Sequence, residues 1–68
     1  MKLKKNIQKE LLKGKSANKI QGQLMGQFDR TQKTIMTWIS TSDSNLRLDE
    51  GKAILCEGLK VAEKELFE

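Results

Sequence analysis

Apolar residues recur at helical spacing along the whole chain. Leu3, Ile7 and Leu11, with Leu12 alongside, fall four apart and line one narrow face of a predicted first helix. Lys2, Lys4, Lys5, Lys9 and Lys13 cover the rest of that helix, and Gly14, just past a last turn carrying lysine, predicts its stop. Small polar residues follow, of which Ser16 or Asn18 can cap a second helix by accepting from its free first-turn N–H groups. Ile20, Leu24 and Phe28 again recur every four residues, with Met25 beside them. Asp29 and Arg30 break the pattern, and Thr31 suits the N-cap of a third helix whose Ile35, Trp38 and Ile39 stand at i, i+3 and i+4. Ser40 to Asn45 reads as a loop. Leu46 and Leu48 lead into a fourth helix starting near Asp49 and Glu50, acids that complement the positive end of its dipole. Ile54, Leu55 and Leu59 face inward there, with Gly51 and Gly58 on the same side, and Val61 plus a short turn with Leu66 and Phe67 closes the chain. Proline is absent and no segment alternates with period two beyond a few residues. The fold class is therefore all-α, a compact four- to five-helix domain.

Length changes this picture little: 68 residues make one domain with a small core, spanning residues 1–68. Chemistry narrows it. A single cysteine excludes an internal disulfide, and with no histidine Cys56 has no partner for a zinc site or a Cys–His nucleophile. Cys56 reads as a small packing residue. No phosphate-binding glycine loop and no carboxylate pair on a shared face is present, so no catalytic residue, cofactor or metal is expected and the chain does not read as an enzyme. No apolar run approaches the ~18–20 residues that span a bilayer, and the lysine-rich start lacks the apolar stretch of a signal peptide. The expectation is a cytoplasmic protein with no membrane partner.

Charge divides the chain. Residues 1–34 carry nine lysines and arginines against two acids, net +7; residues 35–68 carry four against seven, net −3. A basic first half predicts a polyanion-facing side, and an acidic second half a solvated or partner-facing side turned away from it.

The segment Gln21 to Ser40 is the most specific. It reads Gln-Gly-Gln-Leu-Met-Gly-Gln-Phe-Asp-Arg-Thr-Gln-Lys-Thr-Ile-Met-Thr-Trp-Ile-Ser and resembles the twenty-residue helix-turn-helix of phage repressors and Cro-like proteins. That family has apolar residues at the fourth, eighth, fifteenth and eighteenth positions of the motif, here Leu24, Phe28, Ile35 and Trp38. Two short helices crossing steeply share a tiny core, and those positions point into it. The ending Leu-Lys-Val-Ala-Glu-Lys-Glu-Leu-Phe, residues 59–67, also looks like the family's closing segment. Two residues depart from the pattern: Met25 stands where a small residue is usual, and Asp29 where glycine is usual, although Asp tolerates positive φ better than most. Gly22 and Gly26, each costing roughly 1 kcal/mol against alanine inside a helix, suggest close approach of a neighbouring backbone and leave open a longer turn with helix two ending near Gly26. Only the shorter turn brings Phe28, Ile35 and Trp38 together.

The resemblance implies a motif at about residues 20–40, closing helices at about 48–67, and a recognition helix over Thr31–Ile39 that enters the DNA major groove. Thr31, Gln32, Lys33, Met36 and Thr37 point outward as base contacts. Gln32 suits adenine, Lys33 guanine or phosphate, and Met36 and Thr37 thymine methyls. Lys15, Ser16, Lys19 and Gln21 at the start of helix two, with Ser40, Thr41 and Ser42 after helix three, are the expected phosphate anchors. Repressors of this family pair glutamines at the positions of Gln21 and Gln32, the first bonding a phosphate and bracing the second. The expectation is a small repressor-like transcriptional regulator of phage or mobile-element type. It binds double-stranded DNA as a homodimer through its C-terminal half and sits at the nucleoid when bound. The alternative is a helical protein-interaction module, an inhibitor or antitoxin-like partner that keeps the fold without reading DNA.

Overall fold

The computed structural model describes residues 2–68. Four helices carry the fold: α1 (Lys5–Lys13), α2 (Ala17–Phe28), α3 (Gln32–Thr41) and α4 (Asp49–Leu59), with single 3-10 turns at Ser44–Arg47 and Glu63–Glu65. The domain is all-α, with no strand among the described residues. No helix among them is long and apolar enough to cross a membrane.

The apolar stripes converge on one core built from Ile7 and Leu11 of α1, Ile20 and Leu24 of α2, Ile35 and Ile39 of α3, Leu46, Leu55, Leu66 and Phe67. Leu3 joins them, but not from a helix. It precedes α1 in an extended segment that bridges Phe67, while the Lys4 N–H donates to the Leu66 carbonyl (3.0 Å) and the Glu68 N–H to the Lys2 carbonyl (2.9 Å). A spacing of four carries Leu3 to the core either way, which is why periodicity alone assigns it to the helix. Lys4 pairs with Glu65 at 3.9 Å across the same seam.

Helix ends follow local chemistry, with two corrections. α1 ends at Gly14 as expected, in extended conformation (φ −74°), with its N–H still returning to the Glu10 carbonyl. Ser16 occupies the N-cap of α2, but its side chain makes no capping bond. α3 runs on to Thr41, past the expected loop start at Ser40. The hydroxyls of Thr37 and Thr41 donate back to the carbonyls of Lys33 and Thr37 (3.0 and 2.9 Å), so polar residues that favour loops stay in the helix. The remaining loop winds a 3-10 turn at Ser44–Arg47, whose Asp43 carboxylate accepts from the Asn45 N–H at 2.9 Å.

Between α2 and α3 the turn is short. Asp29 adopts φ 53°, ψ 53°, the left-handed conformation that ends a helix, and its N–H bonds the Met25 carbonyl. Thr31 then caps α3, its Oγ1 accepting from the Thr34 N–H at 3.4 Å. Helix α2 therefore does not stop at Gly26, and neither Gly22 nor Gly26 lies near another backbone: a Cβ at either would meet nothing within 4 Å. Close approach occurs on α4 instead. A Cβ on Gly51 would stand 2.7 Å from the Asn45 carbonyl oxygen, and one on Gly58 would stand 2.5 Å from Ile20 Cγ1.

The closing turn is tied to α4 by Lys52, whose ammonium lies 2.6 Å from Glu63 and 3.8 Å from Asp49. Its hydrogen bond to Glu63 raises the lysine pKa above its usual value. Cys56 is half-buried against the core, and that burial pushes its thiol pKa up, away from reactive thiolate chemistry.

The two sets of glycines should respond oppositely to alanine. Gly22→Ala, in open space inside a helix, should raise stability by about 0.5–1 kcal/mol. Gly51→Ala, which must displace backbone, should lower it by about 1–3 kcal/mol. Thermal and urea melts of the two variants check the signs; two shifts in the same direction would contradict the packing described.

Candidate nucleic-acid interface

One face of α3 belongs to the core. Ile35 and Ile39 are fully buried, and Trp38 is half-buried with its ring edge-on to Phe28 at 5.4 Å between centroids. That T-shaped pair closes the wedge between α2 and α3 just beside the left-handed turn, in a geometry aromatic quadrupoles favour. With the inner face fixed, helical spacing turns the other residues outward. Thr31, Gln32, Lys33, Met36, Thr37, Ser40 and Thr41 are all exposed. Met36 is 40% exposed, one of only two large hydrophobics so displayed among the described residues. The Thr37 hydroxyl gives its proton to the Lys33 carbonyl, so Thr37 shows the outside a methyl group and lone pairs. At the cap the Thr31 and Thr34 hydroxyls share a hydrogen bond at 3.1 Å in which either can donate.

The first outward residue is held from behind. Gln32 Nε2 donates to Gln21 Oε1 at 3.0 Å, and Gln21 Nε2 donates to the Leu11 carbonyl at 2.8 Å. Leu11 lies in the last turn of α1, where carbonyls have no N–H one turn ahead to accept from. A carbonyl only accepts, so the amide of Gln21 must turn its nitrogen toward Leu11 and its oxygen toward Gln32. Gln32 must in turn present its nitrogen. The direction of both amides is thus dictated by one backbone group. Only 2% of Gln21 is exposed. It stands as a brace from α1 to α3, and the exposed phosphate ligand that the resemblance implies is not what its side chain offers here.

The other expected anchors divide. Lys15 and Lys19 are exposed at the start of α2, and Ser16 is half-buried at its cap. Ser40 and Thr41 are exposed at the end of α3. Ser42 is buried: its Oγ accepts from the Leu3 N–H (3.0 Å) and from Gln8 Nε2 (3.3 Å), which corrects its reading as a phosphate anchor. Gln8 itself went unread in the sequence. Its Nε2 also donates to the carbonyls of Ile39 (3.0 Å) and Ser40 (3.3 Å), capping the end of α3. The only local sign was a glutamine beside the apolar stripe at Ile7 and Leu11. Among the described residues, no group of His, Cys, Asp or Glu comes together to hold a metal ion.

In comparisons with known proteins, no family model, no curated protein and no solved structure matches the chain.

Gln21→Leu keeps the bulk of the brace and removes both hydrogen bonds. It should cost about 1–3 kcal/mol through the unpaired Leu11 carbonyl, and the side-chain amide signals of Gln32 in an NMR spectrum should move to those of a free glutamine. Unmoved Gln32 signals would show that the brace does not form.

Proposed function

We infer that the chain is a small transcriptional regulator that binds double-stranded DNA sequence-specifically, with the start of α3 in the major groove. The observation that carries this reading is the directed chain from the Leu11 carbonyl through Gln21 to Gln32. An amide nitrogen has two protons. Gln32 gives one to Gln21, which leaves the other, and the amide oxygen, for a partner outside. One donor and one acceptor side by side is the pattern that meets N7 and the N6 amine of adenine. Orienting that amide before binding removes the rotamer entropy of ordering a glutamine on contact.

The surroundings agree with a groove. Lys33 follows Gln32 with a donor for guanine or phosphate, and Met36 and the methyl of Thr37 suit thymine methyls. Lys15, Ser16 and Lys19 at the start of α2 serve as phosphate contacts, with Ser40 beyond the far end of the face; the Thr41 hydroxyl, expected to join them, is spent on the Thr37 carbonyl. The left-handed turn at Asp29 and the Phe28–Trp38 pair support a helix-turn-helix of the repressor type. One copy of so small a domain makes few contacts, so it binds as a homodimer. Leu48, 48% exposed at the head of α4 in the acidic half, is the apolar residue that half offers to a second copy.

A mobility-shift titration tests the reading. The protein should bind duplex DNA at low salt and release it as salt rises. Lys33→Ala and Lys19→Ala should each flatten the salt dependence by about one unit of log K against log salt. Gln32→Ala should relax preference at one base pair, at a cost of about 1–3 kcal/mol. A protein that binds no duplex at low salt leaves the exposed Met36 face to a protein partner, and the interaction module replaces this reading.

A further inference from the structure

The outward face of α3 does not end at Thr37. Ser40 and Thr41 continue it one turn on, and there it runs into a hollow of about 330 Å³ between the end of α3 and the start of α1. Lys2 and Lys5 line the opposite side. Among the described residues, no acid pairs with the ammonium of either lysine, in contrast to Lys4, which is turned to Glu65. Both cations are thus left available in a concave site that also offers the Ser40 hydroxyl, while the Thr41 hydroxyl is committed to the Thr37 carbonyl.

Such a site would ordinarily be a poor place for an anion, because the C-terminal end of a helix carries partial negative charge. Here several of those end carbonyls are already hydrogen-bonded. Gln8 covers the carbonyls of Ile39 and Ser40, and the N–H groups of Ser42 and Asp43 return to the last turn of α3. The wall of the hollow is held firmly: the Leu3 N–H is fixed to Ser42, and the Lys2 carbonyl accepts from the Glu68 N–H. The lead-in that carries Lys2, and the first turn of α1 that carries Lys5, are therefore part of the folded body. Glu68 is the exception to the basic lining, since it faces the same hollow.

We propose that this hollow seats a backbone phosphate of the same DNA duplex whose bases meet α3, with Lys2 and Lys5 supplying the charge, Ser40 a hydroxyl, and Glu68 opposing the anion. The proposal rests on the DNA-binding reading above. It assigns Lys2 and Lys5 a function beyond solubility, and it makes Glu68 a residue that weakens binding.

The test is the salt dependence of duplex binding by the full chain and two variants, each checked for an unchanged thermal melt. The double variant Lys2→Gln/Lys5→Gln should lower the slope of log K against log salt by about one unit, as expected for one lost phosphate contact. Glu68→Gln should act the other way and bind more tightly than wild type at every salt concentration, because its backbone N–H is retained while its charge is removed. A wild-type protein that binds duplex, with both variants matching its slope and affinity, overturns the phosphate seat and leaves the DNA-binding reading standing. A wild-type protein that binds no duplex overturns both.

Discussion

A single buried amide joins three helices of this small domain. Gln21, on α2, reaches back to the last turn of α1 and forward to the first residue of α3. Without partners, a buried amide would cost several kcal/mol, a large part of the stability of a 68-residue chain. With both ends satisfied it does the opposite, selecting one arrangement of the helices over others of similar hydrophobic content. It also fixes a direction. The Leu11 carbonyl, which accepts from Gln21, determines which way Gln21 points, and Gln21 determines which way Gln32 points. The same bond network that closes the core thereby sets the donor–acceptor pattern presented to the outside.

Charge is arranged less simply than a basic half and an acidic half. The two halves are knitted at the chain ends, where Leu3 bridges Phe67, Lys4 meets Glu65, and Glu68 lies beside Lys2. The acidic ending does not turn wholly away from the basic face, as a division at mid-chain suggests. It comes round to the hollow at the end of α3 and stands next to two of the lysines. The proximity of the opposite charges at this edge makes the local field depend on individual side chains rather than on the net +4 of the chain.

Much of this was legible from the residues. The four-residue spacing of Ile20, Leu24 and Phe28 carries α2 to its true end, and the tolerance of Asp for the left-handed region accounts for a turn without glycine. The contact between Gln21 and Gln32 was legible only through the resemblance to repressor motifs, since nothing local in either residue signals a partner eleven positions away. Other features depended on tertiary approach. No pattern around Gly51 or Gly58 distinguishes them from Gly22 or Gly26; the difference lies in the Asn45 carbonyl and the Ile20 side chain that the fold brings against α4. Ser42 reads as a surface hydroxyl until the extended lead-in at Leu3 is seen to cover it. Gln8 and the bond from Gln21 to Leu11 are likewise side-chain links to distant carbonyls, which hydrophobic periodicity does not register.

The most direct measurement of the central claim is a selection of bound duplexes from a random pool. On the proposed DNA-binding reading, the pre-oriented amide of Gln32 predicts that the enriched duplexes share an adenine at a fixed place. The proposed homodimer predicts that this place recurs in inverted half-sites about 10 base pairs apart. A pool that retains duplexes with no shared position, or returns unchanged after repeated rounds, would contradict the account.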